Sequence, residues 1–394
     1  MKLGLIGVGQ AGGKISERML EYDEKNETEV VKAVTAINSA KADLMGLKKI
    51  RDEQKVLIGQ ARVKGHGVGA DNELGATIAE EDIDEIQSSI DRFPVHELDA
   101  FLIICGLGGG TGSGGAPVIA KHLRKIYEEP VYGLGILPDS DEGGIYSLNA
   151  ARSFKTLTDA VDNLILFDNG SWKQTNDSVA DSYVHLNTEL VTRLGMLFSA
   201  GEVSPNSDVG ETVVDASEII NTLNSSGISS IGYATAKVEN NKNTGLLQRL
   251  RGSSSKDSNS IDSGESVNRI TSLTRKATLG RLTLPVDTSR VEKALLVVSG
   301  PPDKINRKGV EKARKWIEQE CGSMEVRGGD YPKKYADQIE VSVLLSGVTS
   351  SDRIKELQGI AIEAQDTKEE IRQNSPEDLD DLIKDEDDQL DALF

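Results

Sequence analysis

The sequence has few of the residues that build disulfide scaffolds, metal centres or membrane spans. Its 394 residues include two cysteines, Cys105 and Cys321, which lie far apart and form no C-x-x-C pair, so a disulfide framework is excluded. The four histidines are scattered without the spacing of zinc ligands. No run approaches the roughly 18 apolar residues of a membrane-spanning helix. The apolar run within the first residues, MKLGLIGVG, is too short for a signal peptide. We therefore expect a cytoplasmic protein without a resident protein-bound metal.

Positive charge is also scarce, because 45 basic residues face 64 acidic ones and the formal net charge is −19. Nucleic acids and anionic membranes are polyanions, so we expect neither as main partner and no direct membrane insertion. Residues 351–394 hold 15 acidic and 5 basic side chains, and apolar residues become rare from about residue 365. We interpret this segment as an acidic, largely disordered tail that is a candidate contact for protein partners.

Short apolar runs alternate with helical patterns along the chain. The run at Ala100–Cys105 (AFLIIC) is apolar throughout, which is typical of a parallel strand covered on both faces. Together with its neighbours it predicts a doubly wound α/β domain. Apolar residues at helical spacing over 187–199 predict a long, mostly buried helix, and strands at 294–299 and 338–346 predict a smaller α/β module. The runs interpreted as strands of the first domain are Lys2–Gly7, Val30–Ile37, Ala100–Cys105, Pro130–Leu137 and Asn163–Phe167.

Three glycine-rich segments open predicted helices. They are Gly7–Lys14 (GVGQAGGK), Gly67–Gly75 (GVGADNELG) and Gly106–Gly114 (GLGGGTGSG). Glycines let a phosphate approach the backbone closely, and a helix start offers unpaired N–H groups and partial positive charge. The third segment follows the buried strand AFLIIC, and we interpret it as a phosphate cradle that lacks the Lys-Ser/Thr pair of a Walker A loop. For the second, an ordinary loop with a cap at Asp71 or Asn72 fits equally well.

The first segment also matches the GxGxxG pattern of dinucleotide-binding enzymes through Gly7, Gly9 and Gly12. Those enzymes usually hold the ribose with an acidic residue about 20 positions further on, at the end of the second strand. Here the second strand ends in Asn38-Ser39. This counts against an NAD-type oxidoreductase but leaves it as an alternative.

The segment GGGTGSG, Gly108–Gly114, resembles the signature of the tubulin/FtsZ superfamily, and the similarity extends over about residues 2–349. GQAGGK is similar to the corresponding tubulin loop, whereas GVGADNELG, LTRKATLGRLTLP and IEVSVLLSGV resemble FtsZ. This mixture most resembles the CetZ group, tubulin-like proteins of halophilic archaea. The resemblance implies binding of GTP and GDP, Mg²⁺ held mainly by the nucleotide phosphates, and a head-to-tail homopolymer.

The resemblance also implies a division of the chain. A doubly wound, parallel-sheet GTP-binding domain covers 1–182, and a long central core helix covers 183–203. A smaller α/β C-terminal activation and polymerisation domain covers 204–350, and the disordered acidic tail covers 351–394.

By motif, the resemblance assigns contacts with the ribose, the guanine base and the phosphates to individual residues. Glu142 is implied to hold the ribose, although FtsZ has a basic residue four positions later and this chain has Tyr146. Asn169 and Asn187 are implied to read the guanine edge, since an amide both donates and accepts hydrogen bonds. Tyr183 lies on the same helix face as Asn187 and is either a base-stacking residue or a half-buried core residue. The implied phosphate contacts are Gln10, Ala11, Gly12, Gly13, Lys14, Gly108, Gly109, Gly110, Thr111 and Gly112, with Ala70, Asp71 and Asn72 near the gamma-phosphate.

Asp215 and Glu218 are the implied catalytic residues, acting on the nucleotide of the next subunit. Their spacing of three places both carboxylates on one helix face, where they would orient or deprotonate the attacking water. From the residues alone, the favoured interpretation is that both are acids of a first helical turn, stabilised by the helix dipole. FtsZ usually has two aspartates here. The substitution by Glu218 leaves a non-hydrolysing GTP-dependent scaffold as the alternative to a polymerising GTPase that acts in cell shape control.

Overall fold

The computed structural model describes residues 1–173, 179–200, 214–225, 227–238, 258–323 and 325–383. Within these ranges, ten strands form one sheet in the order β3-β2-β1-β4-β5-β6-β7-β10-β8-β9. The strands are β1 Leu3–Val8, β2 Val31–Asn38, β3 Lys55–Leu57, β4 Ala100–Gly106, β5 Val131–Leu137, β6 Asn163–Asp168, β7 Ile228–Lys237, β8 Lys293–Gly300, β9 Glu325–Pro332 and β10 Gln338–Val348. The helices are α1 Gly9–Asn26, α2 Lys41–Gly46, α3 Gln60–Val63, α4 Asn72–Glu81, α5 Ile83–Ile90, α6 Thr111–Ile126, α7 Gly144–Thr158, α8 Asn169–Trp172, α9 Val179–Ser199, α10 Ala216–Leu223, α11 Ser258–Leu279, α12 Arg307–Cys321 and α13 Asp352–Ile383.

The sheet has a parallel half and a mixed half. Strands β1 to β6 pair in parallel throughout, and helices connect them, as in a doubly wound domain. Strand β7 joins β6 through only two residue pairs, Leu164 with Ile228 and Ile165 with Ser229. Beyond that junction, β10 is antiparallel to both β7 and β8. The predicted fold class, a doubly wound domain followed by a smaller α/β part, is confirmed.

Strand β4 shows why its unbroken apolar sequence suits the centre of the sheet. Phe101, Ile103 and Cys105 belong to the hydrophobic cluster on one face, and Leu102 and Ile104 belong to the cluster on the other. All five are fully buried. Successive strand residues point to opposite faces, so a strand covered on both sides needs apolar residues at every position. Burial also raises the pKa of the Cys105 thiol to about 12, which identifies it as an inert core residue.

Helix α9 runs along the opposite face of the parallel half from the α6 side and packs against α1, β7 and β10. Leu190, Leu194 and Leu197 are fully buried on it, at the spacing that predicted a buried helix. The helix begins at Val179 and ends at Ser199, so it starts four residues before the range expected for the central helix. The N-terminal ammonium group of Met1 donates to the carbonyl of Phe198 at 2.7 Å, which anchors the end of α9 beside the start of β1.

The acidic segment 351–394 includes helix α13, which runs from Asp352 to Ile383. Its first turns bury Ile354, Leu357 and Ala361 and pack along α7. These residues form an apolar stripe on one helix face, a local pattern hidden by the low apolar content of the whole segment. Residues 384–394 lie outside the described ranges. Across those ranges, we find no helix with the length and apolar character that a membrane span requires.

Candidate nucleotide-binding site

The loops at the carboxyl ends of the parallel strands surround a cavity of about 420 Å³. This edge is where doubly wound folds bind their ligands. Most of the residues that the sequence assigns to the nucleotide line it: Gln10, Ala11, Lys14, Ala70, Gly108, Gly109, Gly110, Thr111, Gly112, Glu142, Asn169, Tyr183 and Asn187. Segments that are distant in the sequence therefore converge on one pocket.

The three glycine-rich loops contact each other through backbone atoms. A Cβ atom on Gly9 would lie 3.0 Å from the backbone nitrogen of Gly112, and Gly9 adopts a positive φ of 73°. A Cβ atom on Gly110 would collide with the side chain of Val68 and lie 3.0 Å from the backbone nitrogen of Asp71. Side chains at Gly9 and Gly110 would force the loops apart, so these glycines allow one continuous backbone surface.

Two polar residues to which the sequence assigned no role, Ser39 and Asn149, fasten these loops through hydrogen bonds. The Ser39 and Thr111 hydroxyls are 2.7 Å apart and buried. The side-chain amide of Asn149, on α7, donates to the carbonyl of Ala70 at 2.7 Å and to that of Gly108 at 3.1 Å. Ser39 was detectable from its place directly after β2. Asn149 had no local signal, because it sits inside a helix, 79 positions from Ala70 and 41 positions from Gly108.

The cavity has the electrostatics of an anion site. Helices α1 and α6 begin at its wall, neither has a side-chain cap, and neither has an acidic residue in its first turn. Their first N–H groups and the positive ends of their dipoles are therefore available to a ligand. Exposed Lys14 adds a full positive charge at the rim. Backbone donors in glycine loops plus two helix starts suit phosphate groups.

Four predicted contacts do not line the cavity. A side chain on Gly12 would collide with the carbonyl oxygen of Ile104, so Gly12 permits close packing of α1 on β4, and Gly13 is buried beside it. Asp71 caps α4 by accepting a hydrogen bond from the Leu74 backbone at 2.9 Å. Asn72 is the first residue of that helix. These four residues support the loops from the side that faces away from the cavity.

The far end of the cavity is polar and partly aromatic. Asn169 begins α8 directly after β6, while Tyr183 and Asn187 lie one turn apart on α9. Glu142 caps the turn at 140–142 by accepting from the Asp139 backbone at 2.9 Å, and its Oε1 also lies 3.5 Å from the Tyr183 hydroxyl. Tyr183 keeps 41% of its surface exposed, so its ring has room to meet a planar ligand. Two amides, a ring and a carboxylate suit a purine nucleoside.

Asp43 is an acidic wall residue that the sequence analysis did not single out. Its carboxylate accepts from the side-chain amides of Gln10 at 3.0 Å and Asn38 at 3.1 Å. Over the part of the chain that is described, no group of three His, Cys, Asp or Glu side chains is arranged to hold a metal ion.

The predicted catalytic pair lies elsewhere, at the amino edge of the sheet. Asp215 shares a surface depression with Lys2, at the start of β1, and with Asp99, just before β4. The Lys2 backbone donates to the Asp99 carboxylate at 2.6 Å. Strand β1 connects Lys2 at this edge to Gly9 at the cavity. Its six residues span about 20 Å, which is the distance between the two edges. Asp215 and Glu218 therefore cannot reach the nucleotide cavity of their own chain.

The parallel sheet, the glycine loops at its carboxyl edge and the central helix α9 together define a nucleotide-binding protein of the tubulin/FtsZ class. Residues 2–177 match the GTPase domain of the tubulin/FtsZ family, and residues 176–363 match the C-terminal domain of tubulin-like CetZ. The chain is 62% identical to tubulin-like protein CetZ1 of Haloferax volcanii over 95% of both chains. It is 55% identical to CetZ3 of the same organism over the full length of both. The chain belongs to the CetZ family of tubulin-like proteins, as the sequence predicted.

Solved structures agree with this assignment. The GDP-bound monomer of CetZ1 from Haloferax volcanii has a TM-score of 0.82 and 57% identity, and it covers 93% of this chain and 100% of its own. The GTPγS-bound protofilament of CetZ2 from the same organism also has a TM-score of 0.82, with 42% identity and coverage of 94% and 100%.

Proposed function

We propose that this chain is a cytoskeletal GTPase that polymerises head to tail and hydrolyses GTP at each junction between subunits. Two kinds of support converge. Its N-terminal half matches the tubulin/FtsZ GTPase domain, and a similar protein was solved as a GTPγS-bound protofilament. We further propose a cytoplasmic role in cell shape control, in line with the tubulin-like family.

The observation that carries this proposal is the position of the two functional regions at opposite edges of one sheet. The cavity lies at the carboxyl ends of β1, β4, β5 and β6, and the acidic pair lies near the amino ends of β1 and β4. Stacking one chain on the next in the same orientation brings the acidic edge of one subunit over the open cavity of its neighbour. Repetition of such a heterologous contact produces a filament.

The chemistry asked of the cavity is to bind and neutralise a nucleoside triphosphate. The N–H groups at the starts of α1 and α6 and the ammonium group of Lys14 would hold the phosphates. Asn169 and Asn187 would read the base, Tyr183 would stack on it, and Glu142 would bind the ribose. When bound, Mg²⁺ would offset charge that develops on the phosphates.

Asp215 and Glu218 differ in their readiness to accept a proton. Burial, and then the charge of Asp215, raise the pKa of the Glu218 carboxyl, whereas the Ser217 hydroxyl helps to hold the pKa of Asp215 below its usual range. A base with a raised pKa accepts a proton more readily. In our proposal Glu218 takes a proton from a water molecule while the oxygen of that water forms a bond to the gamma-phosphorus of the neighbour's GTP. The bond from that phosphorus to the bridging oxygen breaks, and GDP leaves.

We also propose that the domain division 1–182, 183–203 and 204–350 reflects this arrangement. The two matched families meet at residues 176–177, close to the first boundary. Helix α9 carries Tyr183 and Asn187 at the cavity and ends at Ser199, beside the amino edge. It thereby joins the nucleotide to the region that contacts the next subunit.

The experiment measures GTP hydrolysis and sedimentation of polymer over a range of protein concentrations. If the site is completed between subunits, hydrolysis per subunit rises with concentration and follows polymer mass. A rate per subunit that is independent of concentration would contradict the proposal. Near-zero phosphate release from both the wild type and Glu218→Ala, under conditions where both polymerise, would favour the non-hydrolysing scaffold instead.

A further inference from the structure

Helix α13 reaches the nucleotide site through one side chain, Arg353, in its first turn. The Arg353 Nε donates to Oδ1 of Asp168 at 3.0 Å, and Nη2 donates to the carbonyl of Pro138 at 2.8 Å. The arginine side chain is 9% exposed and that of Asp168 is fully buried. On its solvent side the same guanidinium lies 3.2 Å from Glu356.

Both inner partners of Arg353 adjoin the cavity, because Pro138 lines it and Asp168 directly precedes the lining residue Asn169. Asp168 ends β6 and caps α8, because its Oδ2 accepts from the Ser171 backbone at 3.2 Å. The next residue, Asn169, is the amide proposed to read the base. Pro138 lines the cavity and opens the loop that carries Glu142. One guanidinium therefore joins the element proposed for the base to the element proposed for the ribose.

The Asp168 carboxylate depends on this contact. A fully buried charge is costly unless a partner neutralises it, and the cation in contact with it comes from 185 positions further along the chain. The planar fork of arginine meets the two acceptors with two separate nitrogens, Nε and Nη2, whereas a lysine presents a single nitrogen that cannot take both positions.

Helix α13 also packs closely against the start of α7. A Cβ atom added to Gly144 would lie 3.1 Å from the Cβ of Ala364, and Gly144 follows Glu142 by two residues. The helix therefore meets the segments next to the cavity at two places three turns apart, Arg353 and Ala364.

From these contacts we infer that Arg353 is a positioning residue for guanine recognition, and that docking of α13 is coupled to nucleotide binding. The inference deepens the proposed function and rests on Asn169 reading the base. Arg353 holds Asp168, and through it the start of α8, in the orientation that presents Asn169 to the cavity. Because coupling between two sites is reciprocal, a bound guanine nucleotide also strengthens the docking of α13.

The test compares Arg353→Gln, Arg353→Lys and the matched control Glu356→Gln in the full chain. Glu356→Gln removes the ion pair on the exposed side of the same guanidinium and leaves the contacts to Asp168 and Pro138. Affinities are measured for GTP, for ITP, which lacks the 2-amino group, and for ATP. Hydrogen exchange of the amides in 139–144 and 169–172 is measured without nucleotide, and thermal unfolding shows which variants fold.

We expect Arg353→Gln to weaken GTP binding by about tenfold or more and to weaken ITP and ATP binding less, because misplaced polar groups lose discrimination. The GTP affinity of Arg353→Lys should lie between those of Arg353→Gln and the wild type, since lysine keeps the charge and loses the contact with one acceptor. Both variants should exchange faster in 139–144 and 169–172, and Glu356→Gln should match the wild type.

The outcomes separate the inference from the proposed function. If folded Arg353→Lys and Arg353→Gln keep the wild-type preference for GTP and the wild-type exchange rates, the positioning role is overturned. If the wild type shows no preference for GTP over ATP, the proposed function fails. In that case faster exchange in the variants would still support the link between α13 and these two segments.

Discussion

Asp215 caps the helix that carries Glu218: its Oδ1 accepts a hydrogen bond from the Glu218 backbone N–H at 3.1 Å. The same oxygen accepts from the Ser217 hydroxyl at 2.5 Å, so one of the two carboxylate oxygens of Asp215 is engaged by the start of α10. The Glu218 side chain is left half-buried beside it. This asymmetry makes Glu218 the better candidate for the proton acceptor and Asp215 the residue that positions it.

The first prediction concerns Glu218→Gln. It should reduce hydrolysis in polymer by about 100-fold or more, because general bases typically contribute that much. GTP binding should stay at the wild-type level, since Glu218 lies at the opposite edge from the cavity. Phosphate release and nucleotide affinity are measured side by side, with Glu311→Gln as control because Glu311 is an exposed acid on α12.

Mixing experiments show whether Glu218 acts between chains. Glu218→Gln subunits keep a normal cavity, and subunits with a disabled cavity, such as Asn169→Ala with Asn187→Ala, keep a normal acidic pair. Where they alternate in a filament, one of the two kinds of junction is complete, so the mixture should hydrolyse GTP faster than either variant alone. Additive, near-zero rates in co-sedimenting polymer would argue against catalysis in trans.

The second prediction is a pH dependence set by Glu218. Burial and the neighbouring charge of Asp215 raise its pKa above the ordinary value of 4.5. As a base it must be ionised, so hydrolysis should hold at higher pH and fall as the pH drops through this raised value, earlier than for an ordinary glutamate. Phosphate release per unit of polymer is measured across pH, so that changes in assembly are divided out.

The raised pKa also fixes the sign of the effect on stability. The folded state disfavours the charged form of Glu218, so the contribution of this group to stability is greatest at low pH and is lost as pH rises through the folded pKa. At neutral pH, Glu218→Gln should therefore not lower the midpoint of thermal unfolding. A clear fall of that midpoint would show that the ionised carboxylate stabilises the fold.

The third prediction contrasts two neighbouring glycines. A methyl group at Gly110 would collide with Val68, whereas one at Gly109 would meet no protein atom within 4 Å. Gly110→Ala should destabilise the fold by about 1–3 kcal/mol through overpacking and should weaken GTP binding by separating the loops. Gly109→Ala should unfold at the wild-type temperature. Equal loss of stability in both variants would mean that the loops do not meet as the structure shows.

The fold and the phosphate end of the site were predictable because their signals are local. Unbroken apolar runs such as 100–105 indicate central parallel strands, and glycines directly after such strands indicate close backbone contact. The links between these segments were not predictable in the same way. Asn149 joins Ala70 to Gly108 from inside a helix with no motif, and Arg353 pairs with Asp168 across 185 positions. Such pairs exist only after folding, and no periodicity in the sequence marks them.

The helix α13 shows a different limit. The composition of 351–394 shows that acidic residues dominate and that apolar residues become rare from about residue 365. It does not show that three apolar residues before that point, Ile354, Leu357 and Ala361, are buried and dock the first turns of α13 on α7. Average composition over 44 residues conceals a stripe that occupies one face of about three turns. A search for helical periodicity over one or two turns at a time would have detected this stripe.

The last prediction concerns the purine end of the cavity. Asn187→Ala should weaken GTP binding more than ATP binding, because a site built to hydrogen-bond one base edge loses its discrimination when a polar partner is removed. Thr188→Ala is the matched control, since Thr188 is the next residue of α9, is exposed, and its hydroxyl donates to the Val184 carbonyl of its own helix. Tyr183→Phe should bind GTP like the wild type, because stacking needs the ring and not the hydroxyl, whereas Tyr183→Leu should bind all purine triphosphates less tightly. A competition assay against a fluorescent guanine nucleotide measures all four variants. If Asn187→Ala weakens GTP and ATP equally, Asn187 supports the wall of the cavity and does not read the base.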